Sequence, residues 1–204
     1  MVNQPHPEPR EFLPVTWREV EEACVEIAER INRDGHRIDV IVGVLRGGWI
    51  PARLLSDYLG VDRMGAIEVK FYRGVGETME HPVVTQPLIL DIRDKVVLVV
   101  DDVADTGKTL NIVTNFLSHY GPRKLITATI YYKPWSIHRP DYYARETSAW
   151  IIFPWDKAET VAELVERKGY SLEDVSRITG DSIDFIKRIF RTRIDGDDKH
   201  PRES

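Results

Sequence analysis

The sequence predicts an α/β fold in which a central, mainly parallel sheet is flanked by helices. The run from Val96 to Val100 is apolar and β-branched, which is typical of a strand buried on both faces. Strand candidates at 38–45 and 96–100 are each followed by a short turn that contains glycine and then by a helical pattern. This repeated order favours parallel strands whose carboxyl ends meet at one edge of the sheet.

Composition indicates one soluble globular domain, with room for an appendage, in the cytoplasm. The 204 residues are 42% hydrophobic and 30% charged, and the sequence shows neither a leader pattern nor an apolar run of bilayer length. The net charge of -5 argues against general nucleic-acid binding. The single cysteine, Cys24, excludes an internal disulfide, favours a reducing compartment and is interpreted as a packing residue.

The chain opens with an irregular arm and a helix. Residues 1–14 contain four prolines and little periodicity, so we expect no regular structure there. Thr16 and Glu19 have the spacing of a capping box, and the helix that follows should end near Gly35. Its apolar positions recur at helical spacing: Val20, Ala23, Ile27 and Ile31.

The strand predicted at 38–45 ends in a turn with the composition of an anion site. Arg46, Gly47 and Gly48 follow the strand, and a helix begins near Ile50. Backbone N–H groups at a helix start attract anions, and Arg46 adds charge-assisted hydrogen bonds. A simple connector is the alternative, because glycines are common between a strand and a helix.

A third strand is predicted at 65–72, and a long segment without apolar periodicity follows it. Residues 73–87 include two glycines and two prolines. A connection this long inside a compact domain is usually functional or disordered.

The central motif places acidic residues directly before a phosphate-binding type of turn. Asp101 and Asp102 end the strand at 96–100, and small or hydroxylated residues at 106–109 open a helix that runs through Leu117. This order suits a sugar phosphate, with hydroxyls beside the acids and the phosphate in the turn. A nucleotide-binding P-loop is not favoured, because it needs glycine where Asp102 stands. A solvated turn is the other alternative.

Two further strands are predicted after the central motif. The strand at 124–132 runs into Lys133, Pro134 and Trp135, and the strand at 148–153 is followed by Pro154, Trp155 and Asp156.

The C-terminal segment reads as helices followed by a tail. A helix at 158–167 precedes two short helices at 171–178 and 181–190, the first with a capping box at Ser171 and Asp174. Residues 195–204 read as a disordered tail. The helix pair and its basic residues are compatible with a helix-turn-helix, but the overall negative charge favours an appendage that contacts a subunit or covers a site.

Three segments together resemble the type I phosphoribosyltransferases, particularly the 6-oxopurine branch. They are Asp-Asp-Val-Ala-Asp-Thr-Gly-Lys-Thr at 101–109, Thr-Ile-Tyr-Tyr-Lys-Pro at 129–134 and Ala-Trp-Ile-Ile-Phe-Pro-Trp-Asp at 149–156. The resemblance covers roughly residues 38–156.

The resemblance implies a domain organisation and ligands. It implies the type I phosphoribosyltransferase fold with a small hood, a catalytic domain at 15–156 and a flexible lid at about 73–87. The appendage at 157–193 and the tail at 194–204 are predicted from the residues alone, because the resemblance is weak there. The substrates would be 5-phosphoribosyl 1-diphosphate (PRPP) and a purine base, with Mg²⁺ as cofactor. A homodimer or tetramer is expected, with no membrane and no nucleic acid as partner.

The resemblance also assigns roles to residues. Asp105 would be the general base that takes a proton from the purine, Asp156 with Asp101 and Asp102 would hold the metal, and the peptide bond between Leu45 and Arg46 could be cis. The predicted contacts to PRPP are Arg46, Gly47, Lys70, Arg73, Asp101, Asp102, Ala104, Asp105, Thr106, Gly107, Lys108 and Thr109.

The predicted base pocket consists of Lys133 at the 6-oxo group, Trp150 stacked on the purine and Ile151 as a backbone contact. Lys133 as a surface lysine, Trp150 as a core residue and Asp156 as a helix cap are the alternatives. Lysine only donates hydrogen bonds, so Lys133 suits a 6-oxo group better than the amino group of adenine. The preferred bases are therefore hypoxanthine and guanine, with xanthine possible and adenine as the runner-up. A nucleotide-sensing transcriptional regulator is a further alternative.

Overall fold

The structure, a computed structural model, describes residues 11–73 and 80–199. The strands are β1 (Phe12–Pro14), β2 (Val40–Leu45), β3 (Met64–Arg73), β4 (Glu80–Gln86), β5 (Val96–Ala104), β6 (Lys124–Tyr132), β7 (Tyr142–Glu146) and β8 (Trp150–Ile152). The helices are α1 (Trp17–Arg33), α2 (Trp49–Leu59), α3 (Lys108–Ser118), α4 (Lys157–Ala162), α5 (Leu172–Thr179) and α6 (Ile183–Lys199), and a π-helical turn, Glu163–Arg167, follows α4. None of the described helices combines the length and apolar character needed to cross a membrane.

The chain divides into two compact units. The sheet unit is Arg18–Ser148, and the terminal unit combines the residues up to Trp17 with those from Ala149 onward. The predicted boundary between a catalytic domain at 15–156 and an appendage at 157–193 does not coincide with this division. The reason is that β8 pairs in parallel with β1, which ties residues 150–152 to the N-terminal segment.

The sheet unit is built on a six-stranded sheet in the order β4-β3-β2-β5-β6-β7. All neighbouring strands are parallel except β3 and β4, which confirms the predicted mainly parallel sheet. The side chains of Val97 and Val99 pack with Leu110, Val113 and Leu117 of α3, whereas α2 packs against β2 and β5. Val97–Val100 of the apolar run in β5 are therefore buried, as the composition predicts, whereas Val96 at its start is half-buried.

β5 is longer than the sequence suggests, because it continues through the acid pair to Ala104. Asp101, Val103 and Ala104 are in register with residues of β6. Main-chain pairing does not depend on side-chain polarity, so the apolar pattern ends where the side chains leave the core while the strand goes on.

The first helix matches its prediction. α1 buries the apolar positions expected of it, together with Cys24. Burial raises the pKa of the Cys24 thiol to about 12, so the thiol stays protonated at neutral pH and serves as a packing group.

The prediction of a long connection at 73–87 is wrong for part of that range. Glu80–Gln86 form the strand β4, which pairs antiparallel with β3. β-branched residues at 83–85 favour a strand, and Pro82 is tolerated because β4 is an edge strand. Residues 74–79, within the predicted lid, and the side chain of Arg73 lie outside the described part of the structure.

The strand β7 was not predicted. It lies at the edge of the sheet beside β6 and is only half-buried, so it lacks a continuous apolar run. Asp141 anchors its start, because Oδ2 of this residue accepts hydrogen bonds from the backbone N–H (2.7 Å) and the hydroxyl (2.8 Å) of Thr127. Tertiary hydrogen bonds therefore fix an element whose local pattern is weak.

The terminal unit has its own small core. Val161, Leu164, Val175 and Ile186 are buried there, and Phe12 packs against them. The predicted capping box is confirmed, since the Ser171 side chain accepts from the N–H of Asp174 and the Asp174 side chain accepts from the N–H of Ser171.

Both ends of the terminal unit differ from the predictions. Phe12–Pro14 form β1 instead of continuing an irregular arm over 1–14, because their backbone pairs with β8. Helix α6 extends to Lys199, so residues 194–199 are not part of a disordered tail. The helix meets no proline there, and its single glycine costs only about 1 kcal/mol. Residues 1–10 and 200–204 lie outside the described structure.

Candidate active site

The candidate site lies at the carboxyl ends of β2, β5 and β6 in the sheet unit. From β2 the chain proceeds to β3 on one side, whereas β5 proceeds to β6 on the other, so β2 and β5 flank a switch point of the sheet. Ligands of open α/β sheets bind in the crevice at such a point. Three turns border it: residues 46–48, 105–107 and 133–138.

The backbone of the turn after β2 packs closely against the acid pair. The peptide bond between Leu45 and Arg46 is cis, as the resemblance suggests. A Cβ atom on Gly47 would lie 1.8 Å from Oδ2 of Asp102, and one on Gly48 would lie 2.5 Å from the carbonyl oxygen of Val100. Both positions therefore require glycine, and this turn and the end of β5 form one packed surface.

The acid pair is held by its own backbone. The N–H of Asp102 donates to Oδ1 of Asp101 at 3.0 Å, and the N–H of Val103 donates to Oδ1 of Asp102 at 2.8 Å. Burial and the neighbouring Asp102 carboxylate raise the pKa of Asp101 well above its ordinary value. Such a pair favours a ligand that brings hydroxyl donors or positive charge.

The turn before α3 has the geometry of a phosphate cradle. Gly107 has a φ of 76° at the N-cap position, and the first turn of α3 carries Lys108 and no acidic residue. The N–H of Lys108 donates to Oγ1 of Thr106 at 3.3 Å. A Cβ atom on Gly107 would lie 2.5 Å from the backbone nitrogen of His138, so this turn packs closely against the turn after β6. The helix start thus presents backbone donors to an anion.

The turn after β6 brings Lys133, the lysine predicted to contact the base, beside the expected general base. Lys133 is only 6% exposed, which rules out an ordinary surface lysine, whereas Asp105 is exposed. Burial lowers the pKa of the Lys133 ammonium, and the carboxylate of Asp105 opposes that shift. The two predicted residues therefore interact electrostatically within one site.

Two residues of this region were missed by the sequence analysis. Nε1 of Trp135 donates to Oδ1 of Asp105 at 3.1 Å. His138 bridges elements, since its Nδ1 lies 2.6 Å from Oδ1 of Asn111 in α3 and its Nε2 lies 3.4 Å from Oγ1 of Thr127 in β6. Trp135 follows the Lys-Pro pair directly, which is the signal that could have found it. His138 has no local signal, because its partners are distant in sequence.

Lys70 does not join these turns by any described contact. Its Nζ lies 3.6 Å from Oε2 of Glu68, and its side chain is 55% exposed. Exposed ion pairs of this kind contribute little to the free energy of folding. The side chain of Arg73 lies outside the described residues.

The remaining predicted residues belong to the terminal unit. Trp150 is 39% exposed, so it is not a plain core residue, and its N–H donates to the carbonyl of Glu11 at 2.8 Å. Ile151 pairs with Leu13 across β1 and β8. Asp156 occupies the N-cap position of α4, but its side chain makes no capping hydrogen bond. Within the described ranges, no cluster of three or more His, Cys, Asp or Glu residues could hold a metal ion.

Comparison with known proteins gives a consistent result. Residues 15–163 match the model of the phosphoribosyl transferase domain. Xanthine-guanine phosphoribosyltransferase of Gluconobacter oxydans is 30% identical over 166 residues, which cover 80% of this chain and 96% of that protein. The protein of the same name from Cereibacter sphaeroides is 34% identical over 150 residues, covering 71% and 86% of the two chains.

Solved structures agree with this match. The crystal structure of a purine phosphoribosyltransferase from Pyrococcus horikoshii Ot3 has a TM-score of 0.66 and 43% sequence identity, and the alignment covers 71% of this chain and 93% of that one. The matched region contains the acid pair, the phosphate cradle and the lysine after β6. The fold, the packed turns at the switch point and these matches lead to one conclusion: the chain belongs to the phosphoribosyltransferase family, and its named relatives indicate a pentosyltransferase enzyme.

Proposed function

We propose that the protein transfers the 5-phosphoribosyl group of PRPP to a 6-oxopurine base, forming a purine mononucleotide and diphosphate. The observation that carries this proposal is the buried ammonium of Lys133, whose turn is hydrogen-bonded to the segment that carries the exposed carboxylate of Asp105. Relatives named xanthine-guanine phosphoribosyltransferase support the same substrate class.

The sugar phosphate is proposed to bind along the end of β5. The 5-phosphate accepts hydrogen bonds from the backbone of the cradle at 104–109, and the ribose hydroxyls donate to the acid pair. The raised pKa of Asp101 supports this placement, because burial disfavours the charged carboxylate and hydroxyl donors of a ribose would stabilise it. Arg46 and the backbone of Gly47 face the diphosphate, with Lys70 and Arg73 as further proposed contacts.

Magnesium fits the donor set that these residues offer. Carboxylate oxygens are the ligands that Mg²⁺ prefers, and Mg²⁺ commonly uses one or two of them together with phosphate oxygens and water. Asp101, Asp102 and Asp156 are the proposed protein ligands. When bound with PRPP, the ion would supply positive charge at the diphosphate.

The chemistry needs a proton acceptor beside the base. Ring nitrogen 9 of the purine attacks the anomeric carbon, the bond from that carbon to the diphosphate oxygen breaks, and the diphosphate departs with the electron pair. The Asp105 carboxylate accepts the proton that ring nitrogen 7 loses as nitrogen 9 forms its new bond. Cationic groups around the diphosphate stabilise the negative charge that develops on it.

Base choice follows from hydrogen-bond chemistry. Lys133 donates to the 6-oxo group and would face another donor in adenine. A buried mismatch of this kind can discriminate by about 10⁴-fold. Trp150 is proposed to stack on the base, and Ile151 to contact it through the backbone.

We also propose a cytoplasmic homodimer or tetramer, as first expected from the sequence.

A base-by-base assay tests the proposal. Purified protein is incubated with Mg²⁺, PRPP and each of hypoxanthine, guanine, xanthine and adenine in turn, and nucleotide formation is followed by chromatography. We expect product with at least one 6-oxopurine and little with adenine.

Two results would overturn the proposal. Product with adenine alone would contradict the role of Lys133. Binding of PRPP with no product from any base would instead favour a sensor of PRPP or nucleotides over an enzyme.

A further inference from the structure

A tryptophan without an assigned role lies between the two charged groups of the proposed base site. Nε1 of Trp135 donates to Oδ1 of Asp105 at 3.1 Å, and Nζ of Lys133 lies over the indole ring, 5.5 Å from its centroid. The side chain is 40% exposed, so part of the ring remains open to a ligand. One side chain thus contacts both groups that the proposed reaction requires.

The backbone holds this tryptophan firmly against the segment that carries Asp105. The N–H of Lys133 donates to the carbonyl of Ala104 at 3.1 Å, and the N–H of Ile137 donates to the carbonyl of Thr106 at 3.0 Å. These two hydrogen bonds flank Asp105 in the turn after β5 and Trp135 in the turn after β6. Pro134 restricts φ directly before the tryptophan. The indole therefore has a defined position relative to the carboxylate.

Each contact has a chemical consequence. An exposed carboxylate rotates freely, but an N–H bound to Oδ1 leaves Oδ2 to accept from a base in one orientation. The face of an indole ring attracts an ammonium, and the attraction grows when the ammonium is desolvated. Lys133 is buried, so the ring supports the charged form in a place where burial disfavours it.

We infer that Trp135 is a positioning residue, which orients the Asp105 carboxylate through its N–H and supports the Lys133 ammonium with its ring. This inference rests on the proposed transfer to a 6-oxopurine. It predicts that the two contacts can be removed separately.

Two substitutions separate the contacts. Trp135→Phe keeps a ring but removes the N–H, and kcat with a 6-oxopurine should fall about tenfold while the KM for PRPP is unchanged, because a hydrogen bond to a charged group is lost. Trp135→Leu also removes the ring, and the KM for the base should then rise roughly threefold more. Trp17→Phe, at a tryptophan that is 57% exposed at the start of α1, is the matched control and should leave both constants unchanged.

A second background shows whether Trp135 acts through Asp105. In Asp105→Asn protein, adding Trp135→Phe should cause no further loss of kcat. A substrate-free readout is the indole N–H resonance of Trp135 in NMR spectra, identified by its loss in Trp135→Phe. This resonance should shift in Asp105→Ala protein, whereas that of Trp49 should not.

The outcomes distinguish this inference from the proposed function. Wild-type turnover in Trp135→Phe, or an equal loss of kcat in the Asp105→Asn background, overturns the positioning role while the enzyme reading stands. A wild-type protein that forms no nucleotide with any base overturns the proposed function, and the positioning role with it. If the chemical shift of the Trp135 indole N–H is the same in Asp105→Ala protein as in the wild type, the hydrogen bond to Asp105 is absent.

Discussion

Three aspartates at the end of β5 occupy three different environments. Asp101 has a raised pKa caused by burial and by Asp102, and Asp102 is 9% exposed with its carboxylate against the backbone of Gly47. Asp105 is exposed and can meet a substrate. Accessibility therefore separates the proposed proton acceptor from the pair proposed to bind ribose and metal.

Replacing Asp105 tests that division. We expect Asp105→Asn to lower kcat by about 10² to 10⁴-fold, because the amide cannot accept the proton. The KM for PRPP should change little, since the cradle and the acid pair are intact. Steady-state kinetics with both substrates measure the two effects, and unchanged turnover would contradict the assignment.

The titration of Lys133 tests the environment of the base site. Burial lowers the pKa of this ammonium, so it should lose its proton at a lower pH than an exposed lysine as the pH rises. The side-chain ¹³Cε resonance, assigned with Lys133→Met, measures the titration, and lysine in a short unstructured peptide is the control. A midpoint equal to that of the peptide lysine would show that Lys133 is not desolvated.

At the scale of elements, the site depends on turns that only glycine can complete. Gly107 has a φ of 76°, and a Cβ atom added to it would clash with the backbone of the 133–138 turn. Gly60 has a φ of 65° at the end of α2, but nothing lies within 4 Å of an added Cβ. The two positions share a left-handed backbone conformation and differ in packing.

This difference makes Gly60→Ala a control for Gly107→Ala. Both should lose about 1 to 2 kcal/mol of stability from a left-handed alanine. Gly107→Ala should lose more and should also raise the KM for PRPP, because the cradle must shift away from His138. Chemical denaturation and kinetics measure the two effects, and equal behaviour of both variants would contradict the packing argument.

At the scale of the whole molecule, the terminal unit has a core of its own. Ile186 of α6 is fully buried in it, whereas the adjacent Phe185 is 44% exposed. Ile186→Ala should destabilise this unit by about 2 to 5 kcal/mol, because it leaves a cavity. Hydrogen exchange across α5 and α6 localises the effect. Phe185→Ala is the control and should have a much smaller effect, and equal effects would show that α6 is not packed as described.

Much of the fold was predictable because its signals are local. The apolar run before Asp101 identified the central strand, and the spacing of Ser171 and Asp174 identified the capping box. The phosphoribosyltransferase family could be predicted because its motifs are short and contiguous, and the family match confirms it. The separate roles of the PRPP-binding and base-binding residues remain predictions.

Other features escaped the sequence because their causes are distant in the chain. β7 depends on the contacts of Asp141 with Thr127, and β1 exists because its backbone pairs with β8. Strand β4 was obscured by prolines that an edge strand tolerates. A long-range partner, rather than a local pattern, decides each of these elements.

The sequence by itself determined the chemistry available to this protein: an acid pair, a glycine turn at a helix start, and a lysine at the end of a strand. Tertiary structure decided how these groups are arranged. The parallel sheet brings the ends of β2, β5 and β6 together, which sets Gly47 against Asp102 and Trp135 against Asp105. Local residue types fix what a group can donate or accept, whereas only packing between distant segments fixes which groups meet.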